Sequence, residues 1–291
     1  MPAFPDSTLL TVLDTARKAS GKILEIYESD FLIDFKKGKE PVTQADRIAD
    51  RILIKNLREN FPDDAFLTEE NGYLEGRIKN PKRVWFIDPI DGTKEFIKKN
   101  GEFAIQIALT ENGALKMGLI LQPVTGRVFA ASVGRGCFTL QKDKTWKRIL
   151  IRKRNTPKLV VALSRSHPSS LAIAVGKELG LTGIFEHGSV GLKLMAIAEG
   201  KAHYYLNDSN STKAWDIAGP EILFKEAGGI VTDLFGRTFS YDPHNPFHKA
   251  GLLASANKSL HRKILAAIRP GVEKKYHFNN SGEAAFRRGN S

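Results

Sequence analysis

One segment restricts the possible folds of this chain more than any other. Four consecutive apolar residues, 84–87, predict a strand that is buried on both faces of a sheet. Two aspartates, Asp88 and Asp91, follow at once, and Pro89 between them cannot donate a hydrogen bond to a sheet. We therefore expect the strand to stop at this point, with two carboxylates at its buried end.

The residues after this strand predict a tight turn and a short helix. Gly92 permits the turn, and Thr93 is a favourable N-cap for a helix over residues 94–98. The Ile90 carbonyl, the two carboxylates and the helix N-terminus then converge. Oxygen ligands of this kind suit hard divalent cations, and helix N-termini bind phosphate. Metal-assisted phosphate chemistry is the first hypothesis, and an acidic turn without chemistry is the alternative.

A second predicted strand also ends in acidic residues. Residues 65–68 predict a short strand that runs into Glu69 and Glu70. Carboxylates at two neighbouring strand ends repel each other strongly unless a cation lies between them. A further carboxylate, Asp46, lies in the first turn of a predicted helix, where it would also suit the helix dipole with no ligand present. The repeated acidic strand ends favour metal binding.

The order of predicted elements divides the chain into two halves of different character. Two long amphipathic helices, over about residues 7–27 and 41–60, precede a set of strands that predict a largely antiparallel sheet. Further along, strands and helices alternate, which is typical of α/β proteins. We expect an N-terminal α+β half that carries most metal ligands (1–151), a C-terminal α/β half that completes the site (152–270) and a disordered polar tail (271–291).

The composition limits the class of binding partner and the cellular compartment that we expect. A formal net charge of +12 over 291 residues suits either nucleic acid or small anionic substrates. The basic residues are spread along the chain without a nucleic-acid motif, so we expect a phosphorylated metabolite. The single cysteine, Cys137, excludes an internal disulfide and fits a cytoplasmic protein. No apolar run approaches the roughly 20 residues of a membrane span, and the first residues lack the pattern of a signal peptide.

Four motifs, in order along the chain, resemble the inositol monophosphatase superfamily of magnesium-dependent, lithium-sensitive phosphatases. The similarity spans roughly residues 5–265, and its motifs are Val42-Thr43-Gln44-Ala45-Asp46, Thr68-Glu69-Glu70, the segment from Trp85 to Thr93, and Ala214-Trp215-Asp216-Ile217-Ala218-Gly219-Pro220. Segments 93–103 and 164–168 resemble the CysQ-type branch, the 3'(2'),5'-bisphosphate nucleotidases. Ser209 departs from the acidic residue that inositol monophosphatases tend to carry there. The resemblance implies a layered αβαβα fold of the sugar-phosphatase type.

The resemblance also implies roles for individual residues. Two to three Mg²⁺ ions would be held by five residues, with Asp88 bridging two ions: Glu69, Asp88, Ile90 through its carbonyl, Asp91 and Asp216. Thr93 and Asp46 would be catalytic, because the Thr93 hydroxyl, hydrogen-bonded to Asp46, would help to activate a water. The substrate would contact a further set: Gly92, Thr93, Ser164, Arg165, His167, Ser189 and Lys193. Without the resemblance, His167 and Asp216 would be interpreted as residues at helix starts.

The implied function is that of a hydrolase of sulfur assimilation. A Mg²⁺-dependent phosphomonoesterase would remove the 3'-phosphate of adenosine 3',5'-bisphosphate, giving AMP and phosphate, through attack by a metal-activated water. An inositol monophosphatase or a broad sugar phosphatase on the same fold is the nearest alternative, and a basic nucleic-acid-binding protein is the non-enzymatic one. The expected partner is a small phosphorylated nucleotide, and both a monomer and a homodimer stay open.

Overall fold

The computed structural model describes residues 4–35, 41–71, 81–151, 158–278 and 284–286. The helices are α1 (Ser7–Tyr27), α2 (Gln44–Asn60), α3 (Thr93–Ile97), α4 (Ser170–Glu178), α5 (Val190–Ala198), α6 (Ala214–Glu226) and α7 (Lys258–Lys275). The strands are β1 (Ile33–Phe35), β2 (Pro41–Thr43), β3 (Ala65–Thr68), β4 (Arg83–Asp91), β5 (Ala104–Glu111), β6 (Ala114–Gln122), β7 (Arg127–Ser132), β8 (Gly136–Leu140), β9 (Trp146–Ile149), β10 (Leu159–Ser164), β11 (Leu181–His187), β12 (Tyr204–Asn207), β13 (Thr212–Lys213), β14 (Ile230–Thr232), β15 (Phe247–His248), β16 (Leu252–Ser255), β17 (Tyr276–Phe278) and β18 (Ala284–Phe286).

The larger sheet has seven strands in the order β3-β4-β5-β6-β7-β8-β9. All neighbours are antiparallel except β3 and β4, which run parallel. Its central strands are buried on both faces, because α1 and α2 pack on one face while α6 packs on the other. Two-sided burial explains why residues 84–87 form an uninterrupted apolar run.

The second sheet has five strands in the order β11-β10-β12-β16-β14. Helices α5 and α6 lie between the two sheets, and α4 and α7 cover the outer face of the second sheet. The layers are therefore αβαβα, which confirms the predicted fold class. The predicted division between residues 151 and 152 falls between β9 and β10, and residues 152–157 lie outside the described part of the chain.

Pro89 does not end the central strand, and this prediction was wrong. Strand β4 continues to Asp91, and a bulge opposite β5 accommodates the extra residues: Asp88 pairs with Gln106, and Asp91 pairs with Ala104. A β-bulge leaves a residue unpaired, so a proline without an N–H is tolerated there. The bulge directs both aspartates toward the same end of the sheet.

The short helix after the bulge begins one residue earlier than predicted. Thr93 is the first helical residue of α3, and Gly92 is the N-cap with φ 106°. That left-handed conformation favours glycine, since a side chain would be strained there. Gly92 therefore supplies the turn, as predicted, while the Thr93 side chain is left for contacts outside the helix.

The end of α7 differs from the boundary predicted for the tail. The helix continues through Pro270 to Lys275, and Val272 is buried in the cluster under α4 and α7. Strand β17 pairs antiparallel with β18. The boundary between residues 270 and 271 therefore falls within α7, while residues 279–283 and 287–291 lie outside the described part.

Two further predictions concern Cys137 and membrane segments. Cys137 is buried, and this burial raises the pKa of its thiol to about 12, so the thiol stays protonated at neutral pH. It packs as a small apolar residue in the cluster between the two sheets. Within the described ranges, no helix is both long and apolar enough to cross a bilayer.

Gly118 allows α6 to approach β6 closely, and replacing it should destabilise the protein. A Cβ atom at Gly118 would lie 2.6 Å from Ile222 Cγ2 and 3.0 Å from the Gly219 carbonyl oxygen. We expect Gly118→Ala to lower the free energy of unfolding by about 1–3 kcal/mol, measured by urea denaturation. Gly21→Ala in α1 is the control, because nothing lies within 4 Å of its Cβ and alanine favours a helix. A Gly118→Ala variant as stable as the wild type would contradict this packing.

Candidate metal and phosphate site

The parallel pairing of β3 with β4 creates an acidic cluster at one end of the larger sheet. Thr68 is in register with Ile87, so the next residues, Glu69 and Asp88, come side by side. The Glu69 N–H donates to the Ile87 carbonyl at 3.1 Å, which fixes this register beyond the strand. Asp216, in the first turn of α6, completes the cluster, with carboxylate oxygens of the three acids within 4.8 Å of one another.

Burial and repulsion by neighbouring charges raise the pKa values of Asp88 and Asp216. Desolvation raises the pKa of Asp88 well above its ordinary value, and the charges of Glu69, Asp91 and Asp216 raise it further. Desolvation and the charge of Glu69 likewise raise the pKa of Asp216. Desolvated carboxylates this close need a compensating cation or a proton. A hard divalent cation such as Mg²⁺ fits this all-oxygen donor set.

The predicted contact between Thr93 and Asp46 is present. The Oδ2 atom of Asp46 caps α2 by accepting hydrogen bonds from the backbone N–H and the hydroxyl of Thr43, at 2.8 and 2.6 Å. Its Oδ1 atom lies 3.2 Å from the Thr93 hydroxyl, and that hydroxyl is also 3.3 Å from the Ile90 carbonyl oxygen. The cap thus fixes the Asp46 carboxylate in an orientation that faces Thr93.

Asp91, a predicted metal ligand, lies outside the three-acid cluster. Its Oδ2 atom accepts hydrogen bonds from the Ser189 hydroxyl, the Gln106 amide and the Gly191 N–H. Desolvation raises the pKa of Asp91 to about 6, although the Lys193 charge and the bonds from Ser189 and Gly191 oppose this rise. One oxygen of Asp91 is therefore tied to the start of α5.

Lys193, predicted to contact the substrate, is buried inside the protein. Its ammonium group donates to the carbonyls of Gly188 and Ser189 and lies 5.1 Å from the centre of the Tyr205 ring. Burial lowers the pKa of Lys193 to about 8, while the charge of Asp91 favours its charged form. Lys193 thus acts on Asp91 through its charge, and a direct contact with substrate would require the ammonium to leave these carbonyls.

The segment 164–167 begins at the last residue of β10, and its side chains contact α3. The Arg165 guanidinium donates twice to the Glu102 carboxylate, at 2.7 Å each. His167 Nε2 is 2.9 Å from Lys94 Nζ, and burial and this neighbouring charge lower the pKa of His167. The Ser164 hydroxyl accepts from the His167 N–H at 3.2 Å. Arg165 is therefore already bound by a carboxylate, whereas His167 faces another basic group.

Sequence reasoning missed several residues that hold the site together. Gln106 is 0% exposed in β5 and donates to Asp91. A glutamine inside an apolar strand is a usable signal for a buried hydrogen-bond partner, but it does not identify that partner. Glu102 stood in a segment that served only to identify the branch. Its role depends on residues more than 60 positions away, which no local pattern displays.

Comparison with known proteins places this geometry in context. A profile of the Inositol monophosphatase family matches residues 6–273. The 3'(2'),5'-bisphosphate nucleotidase CysQ of Salmonella typhimurium is 33% identical, covering 82% of this chain and 96% of its own length. Nus factor SuhB of Pasteurella multocida is 29% identical, covering 88% of this chain and 93% of its own length. The crystal structure of CysQ from Bacteroides thetaiotaomicron, 28% identical, superposes with a TM-score of 0.71 over 88% of this chain and 99% of that one.

Removing one acid of the cluster should stabilise the metal-free protein. Asp88→Asn keeps an oxygen that can accept from the Ile90 N–H, now 3.0 Å from Asp88 Oδ1, but removes one of the repelling charges. In EDTA at pH 7.5 we expect a higher midpoint of thermal unfolding, by about 2–4 °C for each kcal/mol of repulsion relieved. The variant should also lose any rise in midpoint that Mg²⁺ gives the wild type. Asp63→Asn, at an exposed turn, is the control, and an equal shift there would contradict the argument.

The stabilising effect of Asp88→Asn should grow with pH. The pKa of Asp88 is raised in the folded protein, so the proton stabilises the fold at low pH and this contribution is lost as pH rises through the folded-state pKa. Buried histidines such as His261, whose pKa is lowered to about 4, titrate in the opposite sense. The measurement is therefore the difference in unfolding midpoint between variant and wild type, in EDTA, from pH 5 to 8. A difference that does not change with pH would contradict the raised pKa.

Proposed function

The chain belongs to the inositol monophosphatase family, and on that premise we propose that it is a Mg²⁺-dependent 3'(2'),5'-bisphosphate nucleotidase. It would hydrolyse the 3'-phosphate of adenosine 3',5'-bisphosphate to AMP and phosphate. The observation that carries the phosphatase assignment is the three-acid cluster of Glu69, Asp88 and Asp216 beside the Thr93–Asp46 contact. The similarity to CysQ proteins supports the nucleotide as substrate.

The residues that would hold the metal are the three clustered acids, with Asp91 and the Ile90 carbonyl as further predicted ligands. When bound, divalent cations of this kind lower the pKa of a water and offset the negative charge that develops on the departing ester oxygen. The protein supplies rigid, desolvated oxygen donors at the end of β4. Their preorganisation follows from the bulge and from the cap of α6, where Asp216 Oδ2 accepts the Lys213 N–H at 2.9 Å.

Thr93 and Asp46 would orient the attacking water. The Thr93 hydroxyl would donate its single proton to Asp46 rather than to the Ile90 carbonyl 3.3 Å away, so its oxygen could accept a hydrogen bond from that water. Thr43 in turn holds the Asp46 carboxylate through two hydrogen bonds. Thr43 therefore fixes the direction of the Thr93 hydroxyl indirectly, through Asp46. Such positioning of a nucleophile contributes to catalysis through orientation and proton transfer.

The start of α3 would bind the phosphate being removed. The first helical hydrogen bonds are donated by Glu95 and Phe96 to the Gly92 carbonyl, at 2.9 Å each. The amides of Gly92 and Thr93 precede these bonds and are not used by the helix. Amides at a helix start donate readily to phosphate oxygens.

The two segments that resemble the nucleotidase branch contact each other in the folded chain. Lys94 meets His167, Lys98 Nζ is 3.3 Å from the Ser166 hydroxyl, and Arg165 is paired with Glu102. Because residues 93–103 and 164–168 meet beside the phosphate-binding turn, they form one wall of the proposed substrate site. Lys94 and Lys98 on this wall would be the basic groups available to a second phosphate of the substrate.

The nearest alternative is an inositol monophosphatase or a broad sugar phosphatase. It is favoured by likeness to solved inositol monophosphatases such as that of Thermotoga maritima, 25% identical with a TM-score of 0.76 over 92% of this chain and 99% of that one. Such an enzyme would use the same acidic cluster, so the substrate distinguishes the two proposals.

Phosphate release from two substrates tests the proposal directly. With Mg²⁺ we expect the wild type to prefer adenosine 3',5'-bisphosphate over inositol 1-phosphate and to be inhibited by Li⁺. Thr93→Val keeps the shape of the side chain but removes the hydroxyl, so kcat should fall by about 100-fold or more with little change in KM. Thr182→Val, at an exposed position on β11, is the matched control.

Three outcomes would contradict parts of this proposal. Preference for the inositol ester would retain the metal site and reject the nucleotide as substrate. Hydrolysis that does not require a divalent cation would reject the role of the acidic cluster. Unchanged kcat in Thr93→Val would reject the proposed orientation of the water.

A further inference from the structure

Glu102, between α3 and β5, lies where the two halves of the site meet. Its carbonyl oxygen is approached by two glycines: a Cβ atom would be 3.2 Å from this oxygen at Gly92 and 2.1 Å from it at Gly188. Real Cβ atoms do not come as close as 2.1 Å, so only glycine fits at position 188. Gly92 belongs to the phosphate-binding turn and Gly188 to the segment before α5. The Glu102 carbonyl therefore packs closely against both the Gly92 turn and the Gly188 segment.

The carboxylate of Glu102 binds Arg165 and the Gly188 segment before α5. Its Oε2 atom accepts from Arg165 Nε at 2.7 Å and from the Gly188 N–H at 2.9 Å, and its Oε1 atom accepts from Arg165 Nη2 at 2.7 Å. This two-pronged arrangement holds the guanidinium in one plane. Glu102 thus fixes Arg165 and the turn before α5 together.

A chain of hydrogen bonds leads from Glu102 to a predicted metal ligand. The Ser189 N–H donates to the Glu102 carbonyl at 3.0 Å. The Ser189 hydroxyl accepts from the Leu192 N–H at 3.2 Å and donates to Asp91 Oδ2. The Glu102 side chain holds the adjacent residue as well, because its Oε2 atom accepts the Gly188 N–H. Ser189 is one of three donors to Asp91 Oδ2, beside Gln106 and Gly191, and its position depends on this carboxylate.

We propose that Glu102 is a positioning residue of the metal site, acting on Asp91 through Ser189. The inference rests on the proposed function, because it assigns Asp91 to the metal. The partly exposed ion pair of Glu102 with Arg165 contributes little to stability. The proposed role of Glu102 is to orient a metal ligand. Replacing residues of this kind typically changes metal affinity by about 10–100-fold.

Metal binding by the full-length protein provides the test. Mg²⁺ affinity is measured by calorimetry for the wild type, Glu102→Ala, Ser189→Ala and the double variant. We expect Glu102→Ala and Ser189→Ala each to weaken Mg²⁺ binding by about tenfold. Because the two residues act in series, the double variant should bind no more weakly than Ser189→Ala alone.

Glu186→Ala is the matched control for loss of charge near Arg165. Glu186 Oε2 also faces Arg165, at 3.3 Å from Nη1, but this carboxylate does not reach Gly188. The control should therefore keep the Mg²⁺ affinity of the wild type. In the phosphatase assay Glu102→Ala should lower kcat at limiting Mg²⁺, and high Mg²⁺ should restore most of it, which a merely destabilised variant would not show.

The outcomes separate this inference from the proposed function. Wild-type affinity in Glu102→Ala, equal weakening in Glu186→Ala, or additive effects in the double variant would overturn the positioning role alone. A wild type that binds no Mg²⁺ would overturn the proposed function and this inference with it. A nucleotide preference that fails while the coupling between Glu102 and Ser189 holds would overturn only the choice of substrate.

Discussion

Mutual repulsion among desolvated carboxylates is the constraint on which the site depends. Glu69, Asp88 and Asp216 come from the end of β3, from β4 and from a distant helix. Asp88 is buried and the other two are partly buried, so little water screens their charges. Nothing in their own chemistry brings them together without a cation. They are held by the in-register pairing of β3 with β4 and by the close packing of α6 on the larger sheet at Gly118. The packing of the apolar layers therefore offsets the repulsion among the three carboxylates, which metal binding requires to lie close together.

Local patterns were sufficient for most of the fold. The uninterrupted apolar run predicted strand β4, and the apolar faces at helical spacing predicted helices α1 and α2. These patterns were sufficient because they follow directly from which residues are buried. Pro89 misled the prediction, since the bulge that accommodates it is set by the partner strand and not by neighbours in sequence. The tail boundary failed for a related reason: composition near residue 271 does not show that Val272 packs under α4 and α7.

The acids of the site could be found from motifs, but the residues that orient them could not. Glu69, Asp88 and Asp216 stand in short segments whose order along the chain is informative. Glu102 and Gly188 form a contact between the two halves, and Gln106 reaches Asp91 from the neighbouring strand. The spacing of these residues in the sequence does not indicate either contact. Lys193 was predicted to contact the substrate, and no local pattern shows that its ammonium group is buried and donates to the Gly188 and Ser189 carbonyls.

In two helices of the site, one carboxylate serves as both helix cap and site residue. Asp46 accepts the Thr43 N–H at the start of α2, and Asp216 accepts the Lys213 N–H at the start of α6. Asparagine would keep such a cap and lose the charge, whereas glutamate, which is common at this third helical position, would keep the cap and the charge but shift the carboxylate by one methylene group. Aspartate combines the cap, the charge and this position of the carboxylate. Substitution of either aspartate by asparagine or glutamate during evolution would therefore disturb the charge or the position of a site carboxylate. A change of chemistry at the site would have to begin at residues other than these two.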